Sequence, residues 1–332
     1  MMKFFKMMFF NTAMLGTLIT VSASSWIGMW IGLEINLLSI IPLMTKPNDL
    51  SSTESAMKYF IAQSAASMIF LVGLISLTNS SLQTLTFASS EIMINTSMIL
   101  KMGAAPLHSW FPEVMEGLDW WLAFMMMTWQ KIAPMVIFMH NHPAQWMSLM
   151  VAILCSTVGG ILGLNQISIR KIMAYSSITH VGWMISSMMH LKSLWTMYFI
   201  VYSLMTLVVT VQFNEMKIFF VSQLTAAFHN KIVAWIFSLN FLSMGGLPPF
   251  LGFTPKWLTM LGLVDMKMFG MAAILVLSTL LTLFFYTRLI FHSLMMNKEE
   301  PVKPKSRIKY YSAIIMSIPL VTFPLSLVPL NL

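Results

Sequence analysis

The stretch Ile99 to Pro112, ILKMGAAPLHSWFP, places a lysine inside a long apolar run and then interrupts that run with Gly103, Pro106 and Pro112. A lysine at the centre of a membrane span costs roughly 2.5 to 3.5 kcal/mol on insertion scales, so other residues must offset it. The surrounding runs identify the medium. Of 332 residues, 58% are hydrophobic and 9% charged, against about 25% charged in soluble domains. This is an all-α, polytopic membrane protein. Its formal charge of +8 resides in short loops between apolar runs. A nucleic-acid site instead gathers basic and aromatic residues on one soluble face, so no nucleic-acid partner is expected.

Apolar runs of about 20 residues, the length that crosses a bilayer, occur eleven times. Their approximate cores are 7–22, 25–44, 57–78, 88–110, 121–139, 146–164, 172–189, 193–213, 232–262, 268–292 and 311–330. The start MMKFFKMMFF has the basic-then-apolar order of a signal peptide but no small-residue cleavage site, and it reads as a retained first span. Eleven spans put thirteen Lys and Arg, from Lys3 to Lys309, on the side of the N-terminus and only Lys192 and Lys267 opposite. By the positive-inside rule the N-terminus and the loop Asn297 to Lys309 face the cytoplasm-like side. Arg288 lies close enough to the end of its run to snorkel. Lys101, Lys131 and Lys256 do not, and each falls inside an apolar run.

The segments LKMGAAPLHSWFP (100–112) and LSMGGLPPFLGFTP (242–255) share Met-Gly-small-x-Pro followed by aromatics and a second proline, offset by 142 residues. Paired interrupted helices are the mark of transporters built from repeats. Repeats of five spans, an odd number, are inverted with respect to each other. Glu34, midway along the second run, is the carboxylate at mid-membrane depth, and Lys101 is its expected partner. Proton exchange by an ammonium near neutrality demands a change of about 4 kcal/mol, which burial supplies and a nearby carboxylate opposes. His108 and His180 are weaker candidates to bridge protons. Cys155 lies in an apolar run and suits packing. No phosphate-cradling loop, nucleophile-base pair or cysteine cluster is present, so no cofactor or metal is expected in this chain.

Four motifs carry a resemblance: GLEINLLSIIPLM (32–44), LKMGAAPLHSWFPEVMEG (100–117), WQKIAP (129–134) and GGLPPFLGFTPKW (245–257). Together they resemble the antiporter-like membrane subunits of mitochondrial proton-pumping NADH:ubiquinone oxidoreductase, complex I, a family similar to multi-subunit sodium/proton antiporters. The resemblance implies a single membrane domain over 1–332, with inverted five-helix halves at 1–141 and 142–292. A matrix loop and C-terminal helix then occupy 293–332. It makes Glu34 and Lys101 the family's glutamate-lysine pair, Lys131 the central lysine and Lys256 the terminal one. Flavin, iron-sulfur clusters and ubiquinone are expected in partner subunits. The partners implied are adjacent antiporter-like and small core subunits, accessory subunits and phospholipids including cardiolipin, in the mitochondrial inner membrane. Bacterial relatives carry three further N-terminal helices, and their absence leaves a groove for neighbouring subunits or lipid. Two other classes fit the same residues: a free-standing cation/proton antiporter and a non-conducting scaffold of the same complex.

Overall fold

The computed structural model describes residues 2–46, 49–78, 85–227 and 231–295. Its elements are α1 Met2–Ser22, α2 Trp26–Met44, α3 Leu50–Thr78, α4 Leu85–Met102, α5 Trp110–Glu116, α6 Trp120–Met127 and α7 Trp129–His140. There follow α8 Gln145–Leu164, α9 Ile169–His190, α10 Lys192–Met216, α11 Leu224–Ala227, α12 Lys231–Gly245, α13 Phe253–Asp265 and α14 Phe269–Leu294. Among the described residues the β-type pairing is a single bridge, Ser168 to Phe220. The expected span at 311–330, and the loop before it from residue 296, lie outside the described residues.

Seven of these helical segments are long and apolar enough to cross a membrane. Three expected runs depart from a simple span. The run 88–110 stops at Met102, and the run 232–262 divides into α12 and α13. The run 172–189 becomes α9, whose Ser176, Ser177, Thr179, His180, Ser186 and Ser187 are all buried. Polar side chains on nearly every face make α9 too hydrophilic for lipid, so protein must surround it. Its serine hydroxyls at 176, 177, 186 and 187 donate to carbonyls three residues back, which satisfies them without water. One break has no sequence signal. Trp120–His140 is a continuous apolar stretch, yet the helix is interrupted at Thr128 between α6 and α7, where neither glycine nor proline stands.

The chain divides into two compact units. One holds the residues up to Leu118 together with Met125–Met147, and the other holds Asp119–Phe124 and the residues from Ser148 on. In the first, α1 and α2 approach through small residues: a Cβ on Gly16 would lie 2.8 Å from the Asn36 backbone nitrogen. Such close approach is how membrane helices associate without a hydrophobic driving force. Trp129 Nε1 donates to Thr17 Oγ1 at 2.9 Å and fastens α7 to α1. In the second unit, aromatic contacts link Trp120, Phe213, Phe237, Phe241 and Tyr286, with centroids 4.7 to 5.9 Å apart. The outward faces expose Ile31, Leu38, Ile61, Val72, Leu277 and Phe284, as lipid-facing helices require.

Candidate functional site

Both interrupted helices end in the same way. Gly103 has φ +67° and Gly246 has φ +80°, a left-handed conformation that favours glycine. After each, an amide reaches back five residues: Ala104 N–H to Ile99 O at 3.0 Å, and Leu247 N–H to Leu242 O at 3.4 Å. This is the Schellman closure. The geometric match is shifted by one residue from the motif match, which aligns Gly103 with Gly245. With two consecutive glycines available, only the backbone selects between them.

The terminal carbonyls freed by these breaks need partners inside a membrane, and the two units meet that need differently. At the first break Trp110 Nε1 donates to Leu100 O at 3.1 Å and Gln63 Nε2 donates to Lys101 O at 3.3 Å. Neutral donors serve the carbonyls, so the Lys101 ammonium is not consumed as a cap. At the second break the ammonium itself caps: Lys256 Nζ donates to Gly245 O at 2.8 Å. A cation at a helix C-terminus also meets the negative end of the dipole. Pro255 falls within the first turn of α13, where its missing N–H is one of the orphan donors anyway. The freed carbonyl beside Lys256 is that of Gly245, already bound to its ammonium.

In the first unit, a cavity of about 20 Å³ is lined by Asn36, Tyr59, Gln63, Lys101, Phe111, Gln130 and Lys131, among others. That volume accommodates one water molecule. Lys101 and Lys131 are buried, at 6% and 1% exposure, and Lys131 Nζ sits 5.0 Å from the Phe111 ring centroid. Asn36 and Gln130 form a reciprocal amide pair, at 2.9 and 3.0 Å, between α2 and α7. Tyr59 OH lies 3.5 Å from Gln130 Oε1. None of these neutral residues is among the candidates read from the sequence, although Glu34 and Lys131 each have an amide beside them: Asn36 two residues after Glu34, Gln130 just before Lys131.

Glu34 is half-buried on α2. Its Oε1 is enclosed without a hydrogen-bond partner among the described residues. Its charge is felt at Lys101 and Tyr59, but no ion pair within 4.0 Å joins it to Lys101. The pair expected from sequence is thus a pair of neighbours held apart. His108 is half-exposed, with Nδ1 3.1 Å from Pro106 O in its own loop. His180, in the second unit, is buried with Nδ1 2.9 Å from Tyr198 OH. Arg288 is half-buried and donates to Leu164 O at 2.6 Å and Gln166 O at 3.0 Å, at the end of α8 and in the loop after it. Cys155 is a buried thiol outside any disulfide, and no group of three or more metal-ligating side chains occurs among the described residues.

Residues 23–282 match the family model described as NADH:quinone oxidoreductase/Mrp antiporter, TM. The chain is 46% identical over 290 residues to NADH-ubiquinone oxidoreductase chain 2 of Anopheles gambiae, covering 86% of this chain and 84% of that one. To the chain of the same name from Locusta migratoria it is 40% identical over 297 residues, covering 89% and 87%. Among solved structures it is similar to a chain of respiratory complex I from Thermus thermophilus with bound aureothin. The TM-score there is 0.88 at 21% identity, over 98% of this chain and 78% of that one. A chain of the Mrp complex from Dietzia sp. gives a TM-score of 0.84 at 14% identity, over 96% and 74%.

Proposed function

The chain belongs to the NADH-ubiquinone oxidoreductase chain 2 family, within the antiporter-like membrane proteins, and from that premise we propose that Glu34, Lys101, Lys131 and Lys256 form its proton-transfer axis. It is a proton-translocating, antiporter-like, multi-pass subunit of complex I in the mitochondrial inner membrane. Its own part in the enzyme is to move protons while partner subunits hold the flavin, iron-sulfur clusters and ubiquinone. Neighbouring core and accessory subunits and phospholipids, cardiolipin included, complete its surroundings.

The observation that carries the reading is the water-sized cavity lined by two buried lysines, Lys101 and Lys131, together with amides and a phenol. Like charges around a common cavity disfavour each other, so protonation at one lysine is coupled to release from the other. Glu34 approaching Lys101 holds a proton there, and Glu34 withdrawing sends it towards Lys131. The energy enters from redox chemistry elsewhere in the complex. Replacing Lys131 by Met tests this: the complex assembles, yet NADH-driven pumping in inner-membrane vesicles falls by about a hundredfold, the lower end for loss of a proton-transfer group. Parental pumping in that variant supports the scaffold class instead.

The architecture assigned to this axis has about eleven membrane helices in two inverted halves, 1–141 and 142–292, followed by the loop and helix of 293–332. The matching Schellman closures support the repeat. From the basic-residue bias, the N-terminus and residues 297–309 face the matrix and Leu332 faces the intermembrane space. An impermeant label applied to intact mitoplasts should spare residues 297–309, and labelling before the membrane is opened reverses the orientation.

A further inference from the structure

In the second unit, α10 brings two phenols against His180 of α9, and α14 adds a third beside Tyr202. Tyr198 and Tyr202 stand one turn apart on α10, and Tyr286 comes from α14. All three are buried to 1% exposure or less, and His180 to 3%. Tyr198 OH is 2.9 Å from His180 Nδ1. The Tyr202 ring lies 4.9 Å, centroid to centroid, from the imidazole, and Tyr202 neighbours Tyr286. The Ser177 and Ser176 hydroxyls lie beside Tyr202 and Tyr286 respectively. Both serines donate to their own helix, so each oxygen has lone pairs to offer a phenol. Tyr286 packs against Gly245: its Cδ2 is 3.8 Å from where a Cβ there would stand. Gly245 is the residue whose carbonyl receives the Lys256 ammonium.

A membrane core has little reason to bury four polar rings together, since an apolar ring fills the same volume without desolvating a hydroxyl. We propose that Tyr202 and Tyr286 relay protons between His180 and Lys256, with Tyr198 as the positioning residue that orients the imidazole. A phenol both donates and accepts. As its oxygen takes a proton from one side it releases its own to the other, so one O–H bond forms, one breaks and the ring stays neutral. The sequence starts with imidazolium at His180 and a neutral amine at Lys256, and ends with neutral imidazole and ammonium; an intervening water leaves that balance unchanged. Nδ1–H donating to the Tyr198 oxygen, in both imidazolium and neutral imidazole, leaves Nε2 as the nitrogen that gains and loses the proton. The proposal rests on the reading that Lys256 exchanges protons.

The test uses the intact complex in inner-membrane vesicles carrying Tyr202→Phe, Tyr286→Phe or Lys256→Arg. Three quantities are read: assembled complex, NADH oxidation by a water-soluble artificial acceptor, and protons pumped per NADH. Each phenylalanine variant should assemble and oxidise NADH like the parent while coupled pumping drops about a hundredfold. A purely structural role would lower the amount of complex and leave protons per NADH intact. Where a phenylalanine variant does not accumulate, histidine at the same position, with its exchangeable ring N–H, should retain pumping; its loss in an assembled complex overturns the relay. Parental pumping in both phenylalanine variants, with Lys256→Arg inactive, overturns the relay alone. Parental pumping in Lys256→Arg removes the premise beneath it.

Discussion

A complex carrying Lys256→Arg should assemble, retain NADH oxidation by artificial acceptors, and lose most proton pumping together with the quinone reduction coupled to it. The reason lies in what Lys256 touches. Its Nζ caps Gly245 O at 2.8 Å, and it is 8% exposed, so it does not reach out to the interface as an anchor would. Arginine preserves the positive charge at the C-terminal end of α12 and can cap the same carbonyl, but it does not deprotonate in any working pH range. A residue needed only as a cap tolerates that exchange. A residue that must release its proton does not, and the loss expected is about a hundredfold. Space is the complication: a Cβ on Gly246 would stand 2.9 Å from Nζ, so the broader guanidinium meets backbone. Lys256→Gln separates the two effects, since its amide N–H can still cap Gly245 O while carrying no exchangeable charge. Both variants should stop pumping. Full pumping in either assembled complex removes Lys256 from the path.

The residues at issue differ in how far the sequence reveals them. Lys101 and Lys256 announce themselves because an ammonium in an apolar run is costly and each stands close to a Gly and Pro break; Lys101 lies in the last turn of a helix that closes on left-handed Gly103, and Lys256, in the first turn of α13, reaches back to the end of α12, which closes on Gly246. Their partners are less visible. Lys256 binds a backbone carbonyl, and every residue has one, so nothing in the letters distinguishes Gly245. Lys101 keeps its ammonium out of capping because Gln63 and Trp110 serve the carbonyls, a division of labour that depends on α3 and on the loop after the break. The Asn36–Gln130 pair spans ninety-four positions; each amide is a readable oddity in its own run, but their pairing is a fact of packing. Thr128 interrupts Trp120–His140 with no local residue that demands it, so tertiary contacts override a sequence that would propagate a helix. Tyr198 and Tyr202 have the spacing of a shared helix face, while the histidine they face lies on another helix.

Breaking the Glu34–Lys101 relationship should give effects that do not add. Glu34 carries an enclosed oxygen without a hydrogen bond, and Lys101 is buried at the cavity wall with no ion pair to Glu34 within 4.0 Å. Each is therefore a charge in a poor environment whose formal compensation is the other. At an effective dielectric of about 20, unit charges about 4 Å apart attract by about 4 kcal/mol, and beyond that separation the pull is smaller, enough to matter for a buried ammonium and too weak to lock it. That intermediate strength suits a lever, because closing the gap strengthens the hold on the Lys101 proton and opening it favours transfer towards Lys131. Glu34→Gln leaves Lys101 uncompensated, and Lys101→Met leaves Glu34 so; each should lower assembly and coupled turnover. The double variant carries neither stranded charge. It should assemble better than either single variant, with a coupling of about 1 to 3 kcal/mol in thermal stability, while pumping remains lost because the proton-holding site is gone. Recovery of assembly without recovery of pumping separates the electrostatic role of the pair from its transport role. Additive losses in assembly and rate across the three variants would mean that the two groups do not interact, and control of the Lys101 proton would then have to come from a group other than Glu34.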